Sequence, residues 1–359
     1  MINTHDISFI VRGKNIVLQT EKCINSIRKY FPESKIIFST YEKENIAKLN
    51  FDEVIYSRDP GGEKLPGKEI NNINRILLTT KIALETVTTK YCAVLRSDMI
   101  FDSGKLLKNI GNNFPKRNKL YTISKNRLVF YNLFSRKEET INGHSFPQIF
   151  YLSDWFVFGL TDDVRNYFNK SSFTEEPYFS NYFIRNEHKI LKNYPRKYAP
   201  EQYSAINYFS YYFPEINLKN RLDFSEYLRE LSDKLITNNM IVASYQELGV
   251  FIQKAQYLKF SKDIRNTNIL NWNKGIISYK DFMSDYQKYC DPDFKMPLRY
   301  CYEELLQISR YKEKFYKHRY ALVEKKKLKK KLGEGLKCFS YSLLIFLKSL
   351  TRLHKLIFR

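Results

Sequence analysis

Glycine and proline are scarce in this sequence, and cysteine is present in an odd number. The 359 residues include 12 Gly, 11 Pro and 5 Cys. So few Gly and Pro argue against long low-complexity linkers and against a collagen-like fibre. The cysteines form no CxxC pair and the histidines form no HxxxH or HExxH pattern, which argues against a zinc site or a disulfide framework. We therefore expect reduced thiols and a cytoplasmic protein.

Several long segments and motifs are also missing from the sequence. No apolar run reaches the roughly 20 residues that span a bilayer, and the N-terminal sequence MINTHDISFIVRGKN has no apolar signal core. The sequence contains no GxxxxGK[ST] loop, no GxGxxG after its first apolar run and no GxSxG elbow. P-loop nucleotide hydrolysis, ordinary NAD binding and α/β-hydrolase chemistry therefore lose support.

Apolar residues and positive charge are both plentiful. Hydrophobic residues make up 43% of the chain, enough for a large core, and the net charge is +22. Residues 310–359 contain 16 Lys or Arg against three acids, so the excess charge is concentrated in the C-terminal tail. A basic tail suggests an anionic partner, either a membrane or a nucleic acid. A nucleic-acid binder would interleave basic and aromatic residues on one module, so we expect a membrane and no nucleic acid.

The first hundred residues alternate apolar runs with helical patterns. Apolar strands joined by helices predict a parallel sheet covered on both faces, which is an α/β fold of Rossmann type. The pattern predicts strands over 7–11, 35–40, 54–57 and 91–95, and helices over 20–31 and 71–87.

The rest of the chain continues this pattern and then becomes more helical. We divide the chain into a catalytic domain over 1–222, a mainly helical region over 223–320 and a basic amphipathic tail over 321–359. Further strands are predicted over 120–123, 128–131 and 154–159, and helices begin at Thr161 and Pro200.

Polar clusters follow four of the predicted strands. Ligands of open α/β sheets bind beyond the carboxyl ends of the strands, so these clusters predict a binding site. Arg and Lys side chains bind phosphate oxygens, and an Asp can hold a divalent cation that bridges them. The Arg96–Asp98 cluster alone is equally well explained as a surface ion pair. The clusters are Arg12, Gly13 and Lys14; Ser39 and Thr40; Arg58, Asp59, Pro60 and Gly61; and Arg96, Ser97 and Asp98.

Several motifs, in this order along the chain, resemble the WavE lipopolysaccharide-synthesis family: ISFIVRG, NSIRKYFPESKIIFSTY, DPGG, NNINRILLTTKIAL, TKYCAVLRSDMIFD and SDWFVFG. The resemblance covers roughly residues 5–215 and implies a glycosyltransferase of GT-A type that uses a nucleotide-diphosphate sugar. Such a fold has helices on both faces of its sheet, followed by a helical C-terminal region. The resemblance implies that Arg12 and Gly13 border the nucleotide and that Asn74 and Arg75 face the donor. Together with the polar clusters, it leads us to predict these donor-binding residues: Arg12, Gly13, Thr40, Asp59, Asn74, Arg75, Arg96 and Asp98.

The resemblance also implies a metal ligand. Asp98 stands where a GT-A enzyme keeps the second acid of its DxD motif, which implies a divalent cation, Mg or Mn. The first acid of that motif falls on Arg96, a cation. Asp98 could therefore bind the metal through waters, or Arg96 could neutralise the diphosphate in its place.

Two carboxylates are candidate catalytic residues. Glu201 lies at a predicted helix start beyond the sheet, a position that resembles the base of many inverting GT-A enzymes. An acid that merely suits the helix dipole is an equally good explanation. Asp154 and Trp155 precede a strand and are predicted to bind the acceptor sugar, with Asp154 as the alternative base. A core Trp beside an Asp turn is the structural alternative.

The predicted reaction is sugar transfer to a lipopolysaccharide or capsular polysaccharide acceptor, with a lipid-linked saccharide as the acceptor. Two alternatives remain open. A sugar nucleotidyltransferase would share the sheet but would normally carry a Gly-rich loop after the first strand. A non-enzymatic basic protein would bind a membrane or a nucleic acid.

The tail predicts attachment to the inner face of the cytoplasmic membrane. Six lysines lie between Lys325 and Lys331, and an apolar stripe follows at helical spacing. A helix with one apolar and one cationic face lies in the surface of an anionic membrane. The same stripe could instead form a coiled coil or pack on the protein itself. The stripe consists of Leu336, Phe339, Leu343, Phe346, Leu350, Leu353 and Ile357.

Overall fold

The chain forms two compact units. One comprises Met1–Ile252 together with Asn271–Asp293, and the other comprises Gln253–Leu270 together with Phe294–Arg359. The central sheet and the helices that cover it belong to the first unit. In the second unit a helix spans residues 336–344. The computed structural model describes residues 2–64, 70–109, 114–141, 144–174, 197–252, 275–298, 300, 336–344 and 346–347.

The strands are short and rich in β-branched and aromatic residues, which favour an extended backbone. The first strand, ISFIVR, is buried along its whole length. The strands, in chain order, are β1 Ile7–Arg12, β2 Lys35–Tyr41, β3 Glu53–Ser57, β4 Glu63–Lys64, β5 Ile70–Asn71, β6 Tyr91–Arg96, β7 Met99–Phe101, β8 Leu128–Tyr131, β9 Arg136–Ile141, β10 His144–Tyr151, β11 Phe156–Leu160, β12 Met240–Ala243 and β13 Val250–Ile252.

Seven of these strands form the central sheet, in the order β12-β8-β11-β6-β1-β2-β3. Strand β11 runs antiparallel to both of its neighbours, and the other neighbouring strands are parallel. Three smaller antiparallel pairs, β9 with β10, β7 with β13 and β4 with β5, surround the sheet. The α/β prediction is confirmed: this is a mostly parallel sheet of the GT-A-like Rossmann type.

Amphipathic helices cover both faces of the sheet. The chain moves one way along the sheet from β1 to β2 and the other way from β3 to β6, so the preferred right-handed crossover places the helices between them on opposite faces. Phe9 of β1 packs against Phe31 and Phe101, with ring centroids 4.9 and 5.7 Å away. The helices are α1 Val17–Tyr30, α2 Ile73–Thr86, α3 Lys105–Asn109, α4 Thr161–Asn169, α5 Pro200–Tyr212, α6 Glu226–Asn239, α7 Tyr245–Leu248 and α8 Tyr279–Tyr289.

The strand predicted over 120–123 is wrong. Residues Lys119–Tyr121 form a 3₁₀ turn, and the side chain of Asn118 accepts a hydrogen bond from the amide of Leu120. The next amides, of Ile123 and Ser124, donate to the side chain of Asn239 instead of to a neighbouring strand. Side-chain oxygens therefore accept the backbone hydrogen bonds that a neighbouring strand would accept in the predicted sheet.

The described part of the region 223–320 contains two strands as well as the predicted helices. Helices α6, α7 and α8 lie in it together with β12 and β13, and part of the range lies outside the described residues. Strand β12 pairs with β8 in the central sheet, with Ile241 opposite Val129. The boundary predicted at residue 222 therefore falls inside the first compact unit.

Candidate functional site

The carboxyl ends of β1 and β6 border the point where the sheet order reverses. From β1 the chain builds β2 and β3 on one side and then adds β6 on the other. Open α/β sheets bind ligands in the crevice at this point. Arg12 ends β1, Arg96 ends β6, and the two residues are partners in the strand register. The structure therefore places two predicted site residues side by side at the crevice.

Arg12 is held by the residue that precedes β11. Its guanidinium donates to the backbone oxygen of Asp154 at 2.5 Å and to the Asp154 carboxylate at 3.2 Å. Both side chains are less than a tenth exposed. Burial lowers the pKa of Arg12 and the neighbouring Arg96 lowers it further, whereas Asp154 opposes the shift. Asp154 reaches this edge because β11 runs antiparallel, so that its beginning meets the ends of β1 and β6.

Arg96 lies between a carboxylate and an aromatic ring. Its guanidinium donates to both carboxylate oxygens of Asp98, at 2.9 and 2.8 Å, and lies 4.4 Å from the ring centroid of Trp155. Asp98 is 1% exposed and Trp155 is 4% exposed. Trp155 therefore contacts Arg96 with its ring, and the acceptor-binding role predicted for it stays a prediction.

Backbone contacts fix the turn after β1. Gly13 has a φ of +109°, in the region that favours glycine, and its amide donates to the Ser39 carbonyl at 2.9 Å. The hydroxyl of Ser97 donates to the Lys14 carbonyl at 2.9 Å, and its amide donates to the Arg12 carbonyl at 3.1 Å. The ends of β1, β2 and β6 are thus joined around the crevice.

Three buried polar atoms at this edge have no hydrogen-bond partner among the described residues: Nε of Arg12, Oγ of Ser39 and Oγ1 of Thr40. Ser39 and Thr40 are both 0% exposed. An unsatisfied buried polar group costs about 1–3 kcal/mol, so proteins rarely retain one without a reason. A ligand that supplies the missing partners is such a reason.

A second ion pair lies beyond the ends of β2 and β3. Arg75, on α2, donates to both carboxylate oxygens of Asp59, at 2.7 and 2.6 Å. These hydrogen bonds lower the pKa of Asp59 and raise that of Arg75. Tyr41 connects this pair with Arg12: burial and Asp59 raise the pKa of Tyr41 to about 12, whereas Arg75 and Arg12 oppose the shift. Tyr41 was not predicted, although its place at the end of β2 is the signal that marks it.

Asn74 uses its side chain within the protein. Its amide nitrogen donates to the Thr174 carbonyl, and its side-chain oxygen accepts from the Thr174 amide, both at 2.8 Å. It therefore fixes the stretch that follows α4, and its predicted contact with the donor stays a prediction.

Glu201 lies in the first turn of α5, as predicted from the sequence. Its backbone oxygen accepts from the amide of Leu152 at 3.1 Å, two residues before Asp154. Its carboxylate acts on the buried side chains of Tyr151 and Arg221. The role of Glu201 as base stays a prediction.

The described residues do not fit a divalent cation at Asp98. Mg²⁺ and Mn²⁺ prefer oxygen ligands, but both oxygens of Asp98 already accept from Arg96. The Asp98 side chain is 2% exposed and that of Arg96 is 23% exposed, so the guanidinium of Arg96 lies nearer to solvent than the carboxylate of Asp98. Across the part of the chain that the structure describes, no three His, Cys, Asp or Glu side chains lie close enough to hold a metal.

A surface cavity of about 420 Å³ lies at the opposite edge of the sheet. It adjoins the beginning of β6 and the N-terminus of α4, and Lys90, Lys125 and Asp162 are among its lining residues. Asp162 and Asp163 already occupy the first turn of α4, where an anion would otherwise bind. The cavity is therefore a poorer candidate than the crevice at Arg12 and Arg96.

Comparison with known proteins gives a family for the whole site. No curated protein matches the chain. The model of the family described as WavE lipopolysaccharide synthesis matches residues 11–315, a span that includes both arginines, their carboxylate partners and Glu201. The chain belongs to the WavE lipopolysaccharide synthesis family.

Proposed function

We propose that this protein is a glycosyltransferase that moves a sugar from a nucleotide-diphosphate sugar to a lipopolysaccharide or capsular polysaccharide acceptor. Two findings support the proposal. The family takes part in lipopolysaccharide synthesis, and the fold is a GT-A-like sheet with its charged residues at the carboxyl edge. The acceptor is a saccharide on a lipid carrier.

One observation carries the proposal: two guanidiniums and several unsatisfied polar atoms lie at the same edge of the sheet. Arg12 and Arg96 are adjacent strand partners, and such forks bind phosphate oxygens in a bidentate way. Beside them, Ser39 and Thr40 have buried hydroxyls without partners. The two arginines suit the diphosphate of a nucleotide sugar, and the two hydroxyls suit its ribose or base.

The transfer needs a proton acceptor if it inverts the anomeric carbon. The bond from that carbon to the diphosphate oxygen breaks and leaves its electron pair on the oxygen. The acceptor hydroxyl oxygen forms the new bond, and its proton passes to a carboxylate. Glu201 suits this task better than Asp154, because Asp154 is buried in an ion pair with Arg12 and Glu201 is partly exposed.

Donor binding is tested by thermal stabilisation of the full chain with a panel of nucleotide sugars, in buffer that contains Mg²⁺ and Mn²⁺. A ligand that binds only the folded state raises the melting temperature. Arg75→Ala removes a charged contact and should weaken binding about 10- to 100-fold. Arg229→Ala breaks an exposed ion pair with Glu226 on α6 and is the matched control. No stabilisation by any nucleotide sugar would refute the proposal.

The role of the base is tested with Glu201→Gln. Turnover should fall about 10²- to 10⁴-fold with donor affinity preserved, because the variant keeps the side-chain shape and loses only the proton acceptor. Glu226→Gln is the control, since Glu226 also lies in the first turn of a helix and shares any helix-dipole effect. Equal turnover in both variants would transfer the role to Asp154 or exclude such a base.

We also propose that the tail attaches the protein to the anionic inner face of the cytoplasmic membrane. No described helix is long and apolar enough to cross a bilayer. In the helix over 336–344, Leu336 and Phe339 are each 69% exposed and Leu343 is 45% exposed. The six-lysine cluster that precedes this helix lies outside the described residues. Each lysine close to an anionic surface contributes about 1 kcal/mol, and the exposed apolar side chains add their burial in the interface.

The membrane proposal is tested by sedimentation of the full chain with vesicles of neutral or anionic lipid. We expect binding to anionic vesicles only, and a loss of about tenfold or more in affinity when Leu336 and Phe339 both become Ser, because each exchange removes about 1.5–3 kcal/mol of burial. Leu120→Ser is the control, since Leu120 is 78% exposed in the other unit. A full chain that ignores anionic vesicles and forms dimers would show that the stripe pairs copies of the protein.

A further inference from the structure

Arg96 is fixed in position more firmly than a surface ion pair requires. Asp98 fixes the plane of the guanidinium through two hydrogen bonds, and Trp155 supports its face at 4.4 Å. The Trp155 ring is itself fixed edge-to-face by Phe134, with centroids 4.9 Å apart. A guanidinium with a fixed plane binds phosphate with less loss of conformational entropy than a mobile one.

Arg96 lies between Asp98 and the solvent, whereas in a metal site the carboxylate would have to be open to the metal ion. The side chain of Arg96 is 23% exposed and that of Asp98 is 2% exposed. A cation from solution would have to displace the guanidinium before it reached the carboxylate. The second acid at this edge, Asp154, is likewise engaged by Arg12.

Arg12 and Arg96 are two adjacent cations, and each is paired with one carboxylate, Asp154 and Asp98 respectively. Arg12 and Arg96 are close enough for each positive charge to disfavour the other, and the pKa of Arg12 is lowered in part by Arg96. A bound dianion relieves this repulsion. Nε of Arg12 is buried and has no hydrogen-bond partner among the described residues, and a phosphate oxygen would supply one.

We propose that the guanidinium of Arg96, with Arg12 beside it, neutralises the donor diphosphate in place of a divalent cation, and that Asp98 and Trp155 are positioning residues for Arg96. The inference rests on the proposed function and adds the way in which the site recognises its substrate. It requires that a diphosphate bind in the absence of metal. It also requires that substitution of Asp98 weaken binding to the same degree with and without metal.

The test uses the full chain and inorganic pyrophosphate as the probe, with binding measured by calorimetry in EDTA and again in Mg²⁺ or Mn²⁺. We expect the same affinity, within about threefold, in all three buffers. Arg96→Ala should lower the affinity about 10- to 100-fold, and Arg96→Lys nearly as much, because the fork is lost. Arg165→Ala is the matched control: Arg165 has a similarly part-exposed side chain and lines the cavity at the other edge of the sheet.

The positioning residues are tested by variants that separate their role from packing. Trp155→Phe keeps an aromatic face under Arg96 and should retain the affinity within a few-fold, whereas Trp155→Leu should lower it about tenfold. Asp98→Asn should weaken pyrophosphate binding by the same factor with and without Mn²⁺. Melting temperatures of all variants, measured without probe, show whether each one is folded.

Three results would overturn the inference. One is pyrophosphate binding that requires Mg²⁺ or Mn²⁺. Another is Mn²⁺ binding to the wild type, followed by electron paramagnetic resonance, that disappears in Asp98→Asn. The third is unchanged affinity in a folded Arg96→Ala. Nucleotide sugars that bind only with metal would refute this inference and leave the proposed function intact, whereas a failure to bind in any buffer would refute the proposed function itself.

Discussion

The two edges of the central sheet each carry a pair of arginines, but the pairs are satisfied in opposite ways. At the carboxyl edge, Arg12 and Arg96 pair with carboxylates, and Nε of Arg12 and the hydroxyls of Ser39 and Thr40 have no partner in the described part of the chain. At the amino edge, Arg117 and Arg127 lie near the beginnings of β8 and β12 and donate mainly to backbone oxygens.

The amino-edge pair uses every guanidinium nitrogen. The nitrogens of Arg127 donate to the carbonyls of Thr237, Phe114 and Lys116, at 2.8, 2.5 and 2.8 Å. Arg117 binds two carbonyls and also the side chains of Ser124 and Asn239. Burial lowers the pKa of Arg117 to about 10. These arginines tie loops to the sheet, and four of the five N–H donors of each guanidinium are engaged within the protein.

We propose that this difference separates arginines with a structural role from arginines that bind a ligand. Both edges contain buried guanidiniums, so residue type and burial alone do not identify a site. The two pairs differ in their own donors: every guanidinium nitrogen of Arg117 and Arg127 donates, whereas Nε of Arg12 has no partner among the described residues. An unsatisfied buried donor costs stability, and the ligand that we propose would satisfy it. Substitutions at the two edges should therefore affect different properties.

The largest effect is expected from Arg127→Met at the amino edge. The carbonyls of Thr237 and Phe114, which are buried, and that of Lys116 would lose their donor, so the free energy of unfolding should fall by about 3 kcal/mol. Urea unfolding followed by intrinsic fluorescence measures this change, and calorimetry with pyrophosphate should show unchanged affinity in the protein that remains folded. A loss of affinity without a loss of stability would remove the distinction between the edges.

An intermediate effect is expected from a third charged group, in which Lys137 bridges two acids. Its ammonium lies 2.6 Å from a carboxylate oxygen of Asp285 and 3.1 Å from one of Asp233. Burial raises the pKa of Asp285 to about 6, so the folded protein holds this proton more tightly than the unfolded chain. Stability should therefore fall as the pH rises from about 4 to 6, by about 2–3 kcal/mol at 1.4 kcal/mol per unit.

Melting temperatures of the wild type and Asp285→Asn between pH 4 and 7 isolate this contribution. Relative to the variant, the wild type should lose stability across that range, because Asn carries no proton to release. Parallel curves would show that Asp285 titrates as an ordinary exposed acid does.

The smallest effect is expected at three buried hydroxyls, those of Ser39, Thr40 and Ser124. Ser39→Ala and Thr40→Val remove unsatisfied hydroxyls and should leave stability unchanged or raise it by up to about 1 kcal/mol. Ser124→Ala removes a hydroxyl that accepts from Arg117 at 3.1 Å and should lower stability by about the same amount. Nucleotide-sugar affinity should fall in the first two variants alone. Destabilisation in all three would show that the hydroxyls of Ser39 and Thr40 have partners in the folded protein.

The sequence was most informative where one strand ends and polar residues begin. Runs such as ISFIVR and YCAVLR form fully or almost fully buried strands, and parallel strands bring their carboxyl ends to one edge. Arg12, Arg96 and Asp98 were therefore predicted to lie in one site from local pattern alone, and the structure brings them together.

Contacts that depend on strand direction could not be predicted in this way. The pairing of Arg12 with Asp154 joins residues 142 positions apart, and it exists because β11 runs antiparallel. Nothing in the five residues of β11 encodes that direction. Strand β12 was missed for a related reason: its four apolar residues continue directly from α6 and have no period of their own.

Strand β12 lies after residue 222, and this affects any attempt to express the central sheet as a shorter protein. Strand β8 has β11 on one side and β12 on the other. A chain shortened to residues 1–222 would lack β12 and leave one edge of LVFY without a ladder partner. A bare apolar edge is a template on which a second chain can add a strand. Such a shortened protein should aggregate on expression, and a chain that continues past Ala243 should resist aggregation at this edge.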